Sequence, residues 1–251
     1  MAGAGLLGVP TAARATTGRG SHVPAPASMA PLDLIAFSSI QGVPVYYGLQ
    51  TSPRTWYCTS TFSSRLQTWM STLASWSGAA GYGAVSSMGS AGFYVDKAGQ
   101  HGAGTAMDVS IVRWTGGQVS DMFTGDHASA SRTRRRRYFA VEATLRQHFR
   151  FVLDGNYNAA HANHFHADVG GMPERRLLQG SRSDVVYLQA VANDFLGAGI
   201  AVDGIWGPQT QGQVDTLKSR LGVAGDLQTN QTAVGTLLRG IAARGFADQA
   251  I

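Results

Sequence analysis

The stretch His161-Ala162-Asn163-His164-Phe165-His166-Ala167-Asp168 gathers three of the chain's seven histidines into six residues. Imidazole is the commonest side-chain metal ligand and titrates near neutrality. Histidines at i, i+3 and i+5 therefore point to a metal ion with proton-transfer groups beside it. If Phe165 lies in a strand, His164 and His166 share one face and Phe165 enters the core. The competing reading is a His-rich surface turn. A second cluster shifts the balance toward a site: His101 stands seven residues before Asp108, with only small or apolar residues between.

Asp108 to Trp114 is β-branched and alternating, and it precedes Gly116-Gly117. The pattern predicts a strand that carries Asp108 at its start and turns back in a hairpin through Gln118, Val119 and Ser120. His101 then falls in the loop before that strand, where Gly102 and Gly104 are expected to let the backbone pass close to an ion. Gly81 to Val95 supplies one strand leading toward His101. Ile40 to Leu49 is β-prone, and Pro44 suits an edge strand. Leu66, Trp69, Met70, Leu73 and Trp76 recur with helical spacing, so Ser63 to Trp76 reads as an amphipathic helix with an aromatic core stripe.

Arg132 and Arg134 to Arg137 form the one dense basic run, leading into a helix from Tyr138. No stacking aromatics alternate with these arginines, which argues against a nucleic-acid groove and favours a solvated loop and first helical turn. Cations oppose the dipole at a helix start, so an anionic contact there stays open.

The length of 251 residues suits two modest domains, each with its own core. Charged residues make up only 14% and glycine is abundant, a composition suited to loop-rich exported proteins. The formal charge of +5 fits an anionic partner such as a bacterial cell wall. The single cysteine, Cys58, excludes an internal disulfide and a thiolate-based structural zinc site. No apolar run is long enough to span a bilayer. Residues 1–31 read as a leader, either the remnant of an export signal or a disordered Ala/Gly/Pro segment. The fold is expected to occupy 32–178, with a separate helical module over 180–251.

In that last segment Ser183 can cap a helix whose Val185, Leu188, Val191 and Phe195 share a face. Asp203 to Thr210 reads as a tight loop with Pro208 opening a second helix through Val214, Leu217 and Leu221. Asn230 or Thr229 can cap a third through Val234, Leu237, Leu238 and Ile241.

With both histidine clusters in place, the region resembles the extensin-like C-terminal domain family, related to zinc D-Ala-D-Ala carboxypeptidases and, more broadly, to lysostaphin-type endopeptidases. Phe149 to His161 running into His164-Phe165-His166-Ala167-Asp168 is similar to that family's second motif, and His101-x2-Gly104-x-Ala106-x-Asp108 to its first. The resemblance implies His101, Asp108 and His166 as zinc ligands, leaving a fourth position for water. The carboxypeptidases place a Glu three residues before the last His ligand, and Asn163 stands there. The proton work would then fall to His161 and His164, one as base and the other stabilising the oxyanion. Lys97 is the candidate substrate-binding cation, since the Cys-Arg pair usual after the tyrosine strand is replaced by Val95-Asp96-Lys97. Asp168 either orients His166 or is structural.

Residues 180–251 resemble the three-helix peptidoglycan-binding module through Leu188-Gln189 and the run Asp203 to Thr210. Trp206 either contacts sugar or folds inward, the inward role being favoured. Together these resemblances imply an α+β fold, a small antiparallel sheet with flanking helices around a zinc site, followed by three helices. They imply a secreted, monomeric zinc peptidase of peptidoglycan, a carboxypeptidase or endopeptidase, held on the wall by its C-terminal module or released as a phage lysin. The alternative is a wall-binding protein whose peptidase domain no longer hydrolyses.

Overall fold

A computed structural model of the chain describes residues 34–52, 54–170 and 176–251. The leader expected over 1–31 lies outside the described residues.

The fold opens with β1 (Ile35–Phe37), β2 (Ser39–Ile40), β3 (Val43–Tyr47) and β4 (Trp56–Cys58), and β1 pairs with β4 as a two-stranded sheet. Helix α1 (Ser60–Gly78) begins at Thr59, whose side chain accepts from the Phe62 amide and so satisfies one orphan donor of the first turn. There follow β5 (Val85–Gly92), β6 (Ala106–Trp114), β7 (Val119–Asp121), α2 (Arg132–Arg146), β8 (Phe151–Leu153) and β9 (Phe165–Asp168). The main sheet runs β2-β3-β5-β6-β9-β8, with β7 also on β6. It is antiparallel apart from the β3–β5 pair. The strand expected at the edge lies one place in, with two-residue β2 outside it. Pro44 faces Ser39 of β2, and pairing to β5 starts only at Val45, so the missing amide interrupts no ladder there.

The aromatic stripe of α1 is core: Phe62, Leu66, Trp69, Met70 and Leu73 are buried. The Trp69 indole donates to Thr144 Oγ1 at 3.0 Å, tying α1 to α2. From the sheet, Phe165 is fully buried with its ring centroid 4.3 Å from that of Tyr138 on α2. The hairpin through Gly116-Gly117 forms as expected, with Arg113 opposite Val119.

The basic run is not a solvated loop. All of Arg132 to Arg137 belongs to α2, and Arg134 to Arg137 each bind the rest of the chain. Arg134 pairs with buried Asp126, Arg135 with Asp194 at 2.7 Å and Arg136 with Asp248 at 3.3 Å. Arg137 donates to Tyr82 Oη at 3.0 Å and to the Val119 carbonyl at 2.7 Å. The anionic contacts that a basic helix start demands are thus supplied by the chain's own aspartates.

The last segment carries α3 (Arg182–Val191), α4 (Pro208–Arg220) and α5 (Gln231–Phe246). Ser181, not Ser183, caps α3 by accepting from the Asp184 amide. Ser183 is buried within the first turn and its hydroxyl donates to the Val152 carbonyl of β8. Asn230 caps α5, and Pro208 opens α4. Between α3 and α4, Gln189 organises the loop: its Nε2 donates to Asp203 Oδ1, the Ile205 carbonyl and Thr210 Oγ1, while its Oε1 accepts from the Asp203 and Gly204 amides.

This helical segment shares one apolar core with the preceding domain. Helix α5 lies on α2 so closely that a Cβ at Gly245 would stand 2.4 Å from the Arg136 carbonyl. Next to it, Phe246 meets the edges of Tyr82 and Trp114. Buried Arg146 fastens the same junction. It donates to Glu142 at 2.8 Å, to Asp184 at 2.7 Å and to the Val152 and Ser183 carbonyls, joining α2, β8 and α3 at one point.

Candidate metal centre

The register of the sheet aligns one transverse row. Gly92 of β5, Asp108 of β6, His166 of β9 and Leu153 of β8 are successive partners, so Asp108 and His166 project from the same face side by side. His101 reaches this row from the turn before β6. Its Nε2 lies 3.2 Å from Asp108 Oδ1 and 3.2 Å from His166 Nδ1, and the last two atoms are 3.0 Å apart. Two clusters separated by more than fifty residues therefore meet at a single point, and the three can offer ligand atoms within 4.8 Å of one another.

Each histidine is held from behind. His101 Nδ1 lies 2.5 Å from the Phe93 carbonyl, which only accepts, so Nδ1 carries the proton and Nε2 faces the centre with its lone pair. His166 Nε2 lies 2.9 Å from Asp168 Oδ2, which fixes the opposite tautomer and presents Nδ1. Asp168 thus orients His166, settling the choice that the sequence left open. Three acceptors converge within 3.2 Å, an arrangement that a cation or a proton must bridge.

The electrostatics agree. Burial alone would depress His166, but hydrogen bonds to Asp108 and Asp168 outweigh it and lift the imidazole to about 9. Burial would raise Asp108, yet the neighbouring His101 and His166 hold its carboxyl well below the usual range. A proton shared between His166 and the Asp108 carboxylate thus takes the bridging place that a cation would otherwise fill, and two imidazole nitrogens with one carboxylate oxygen make a donor set suited to a transition-metal ion.

Gly92, absent from the sequence-based candidates, lies beside the site, where a Cβ would make ordinary van der Waals contact with Asp108 Oδ2 at 3.4 Å and His101 Cε1 at 3.9 Å. Gly102 and Gly104 do not approach the centre as expected. A Cβ at Gly102 would collide with the Lys97 carbonyl, and Gly104, at φ +66°, passes Leu34 and the Thr59 amide. These glycines shape the loop that delivers His101.

His161 and His164 stand around the same point. His164 Nε2 is 3.6 Å from Asp108 Oδ1, and the His161 ring lies 5.2 Å from that of His164 and 5.9 Å from that of His166. Burial, with the neighbouring His164 and His166, pushes His161 down to about 4; burial also lowers His164. Lys97 is exposed, and its charge lies near enough to oppose protonation of His164. Trp206 folds inward. Its indole donates to Gln211 Oε1 at 3.2 Å and its ring packs against the core, and among the described residues none of its contacts reaches the histidines.

Residues 58–177 match the family model for the extensin-like protein C-terminus. The matched stretch supports the extensin-like domain family, and it contains His101, Asp108, His161, His164 and His166. No curated protein and no solved structure matches the chain.

Proposed function

We propose that the chain is a zinc-dependent peptidase that hydrolyses amide bonds in the stem or cross-bridge peptides of peptidoglycan. The observation that carries this reading is the convergence of His101 Nε2, Asp108 Oδ1 and His166 Nδ1, with two further histidines beside them. Three protein ligands leave a coordination position for water, the mark of a catalytic rather than a closed structural site. Zinc, when bound there, polarises the scissile carbonyl and acidifies a water ligand.

The chain's own residues supply the rest. Asp168 and the Phe93 carbonyl hold the two imidazoles in ligand tautomers. His161 and His164 divide the proton work, one accepting from water and returning the proton to the leaving amine, the other donating to the carbonyl oxygen as charge develops. Lys97 supplies a cation for a substrate carboxylate. The +5 charge favours an anionic wall, and the resemblance of residues 180–251 to a peptidoglycan-binding module supports retention on it outside the cytoplasm.

Purified chain is expected to contain about one zinc per molecule, to release peptides from isolated sacculi, and to lose both properties as Asp108→Ala or His166→Ala. Unchanged release from zinc-free protein would overturn the proposal. A second reading, a wall-binding protein that does not hydrolyse, is favoured by Asn163 at the position of the carboxypeptidase Glu, its side chain engaged with His164. Binding to sacculi with an unaltered muropeptide profile would select it.

A further inference from the structure

His161 and His164 are equivalent in composition, but their surroundings are not. Asn158 Oδ1 lies 3.2 Å from the His161 backbone nitrogen and 2.7 Å from His161 Nδ1. The His161 N–H is shared between the Asn158 main-chain carbonyl, at 3.1 Å, and Oδ1, and turning the amide would set its NH2 against that N–H, donor against donor, so the carbonyl oxygen is the atom that faces it. That oxygen cannot donate in its turn, so the proton between it and the imidazole belongs to Nδ1. His161 is thereby confined to the tautomer whose Nε2 carries a lone pair. The same Asn158 caps the short 3-10 turn Ala159–His161, which fixes the ring's position along with its protonation pattern.

His164 has a weaker arrangement. Its Nδ1 lies 2.7 Å from Asn163 Oδ1, and among the described residues no second donor to that oxygen fixes the amide. Rotation of the Asn163 amide would place its NH2 against Nδ1, so this neighbour tolerates either tautomer of His164.

We infer that Asn158 is a positioning residue that locks His161 with Nε2 as a proton acceptor, making His161 the general base and leaving His164 to donate to the oxyanion. Asn158 takes this role only if His161 serves a metal-centred peptidase site, the reading proposed above. In the step concerned, water gives a proton to His161 Nε2 while its oxygen forms a bond to the amide carbon, and the C–N bond then breaks as the amine receives that proton. No other reactant is needed.

The test uses the full chain with 15N-labelled histidine and long-range 1H–15N correlation at a pH where the imidazoles are neutral, His161→Gln providing the assignment. Wild-type His161 is expected in the Nδ1–H form. Asn158→Ala should release it toward Nε2–H, and Asn158→Asp, which retains the acceptor, should restore the lock. In parallel, Asn158→Ala should lower kcat on sacculus peptides about 10–100-fold with little change in KM, and Asn158→Asp should recover much of the loss. A wild-type His161 in the Nε2–H form, or an Asn158→Ala spectrum identical to wild type, overturns the inference even if peptides are released. A locked tautomer in a protein that releases no peptide keeps the Asn158–His161 lock but removes the general-base role together with the peptidase reading.

Discussion

At the scale of single residues, the candidate centre depends on groups outside its three possible ligands. Asp168 holds His166 at 2.9 Å, so removing its carboxylate frees both the tautomer and the ring orientation. Asp168→Ala is expected to weaken metal affinity about 10–100-fold, with Asp168→Asn between it and wild type, measured by competition against a chelator. Unchanged affinity in Asp168→Ala would show that the sheet alone aligns His166. Cys58 gives a prediction of another kind. It is fully buried, and burial pushes its thiol from 9.0 up to about 12. The folded-state value lies above the unfolded one, so the thiol's contribution is complete below about pH 9 and is lost as pH climbs toward 12. Native chain should resist thiol reagents, and Cys58→Ala should flatten the fall in denaturant stability over that window. The trio that could hold a metal ion was legible in the sequence because histidine and aspartate are chemically conspicuous. Their supports were not: a backbone carbonyl at Phe93 has no compositional signature.

At the scale of elements, α2 shows where local reading runs out. Charge density marked Arg132 to Arg137 as exposed, but charge says nothing of the aspartates waiting at positions 126, 194 and 248. Those partners come from distant segments, and only the tertiary fold brings them to the helix start. Arg135 and Asp194 are mostly shielded from water, with side-chain exposures of 22% and 9%. Asp194→Ala is therefore expected to cost about 1–3 kcal/mol in urea unfolding, whereas Arg132→Ala, on an exposed side chain, should fall within about 0.5 kcal/mol of wild type. Equal effects would mean that the run is solvated after all. Helix periodicity and strand alternation, by contrast, were readable directly: α1, the β6–β7 hairpin and α5 lie where apolar spacing and turn glycines put them. Ser183 misled because a serine near a helix start satisfies the capping rule equally well from position 181, and the alternative depended on a β8 carbonyl remote in sequence.

At the scale of the whole molecule, a tether raises local substrate concentration without constraining the site, and it needs a flexible join. The join here is a buried interface. Phe246 of α5 meets Tyr82 and Trp114, Gly245 admits no side chain against α2, and Arg146 binds α2, β8 and α3 together. A chain of contacts continues to the metal centre: the Arg182 guanidinium lies 4.9 Å over the Tyr157 ring, which meets His161 edge-on at 6.2 Å. The C-terminal helices therefore stand at a set orientation to the histidines. Phe246→Ala is expected to cost about 3–5 kcal/mol, and calorimetry should record a single transition whose midpoint falls as a whole. A chain ending at residue 178 should lose cooperative folding, since the α2 face covered by α5 would be exposed. Two separate transitions, or a stable truncated chain with its metal affinity intact, would instead favour two domains, each with its own core.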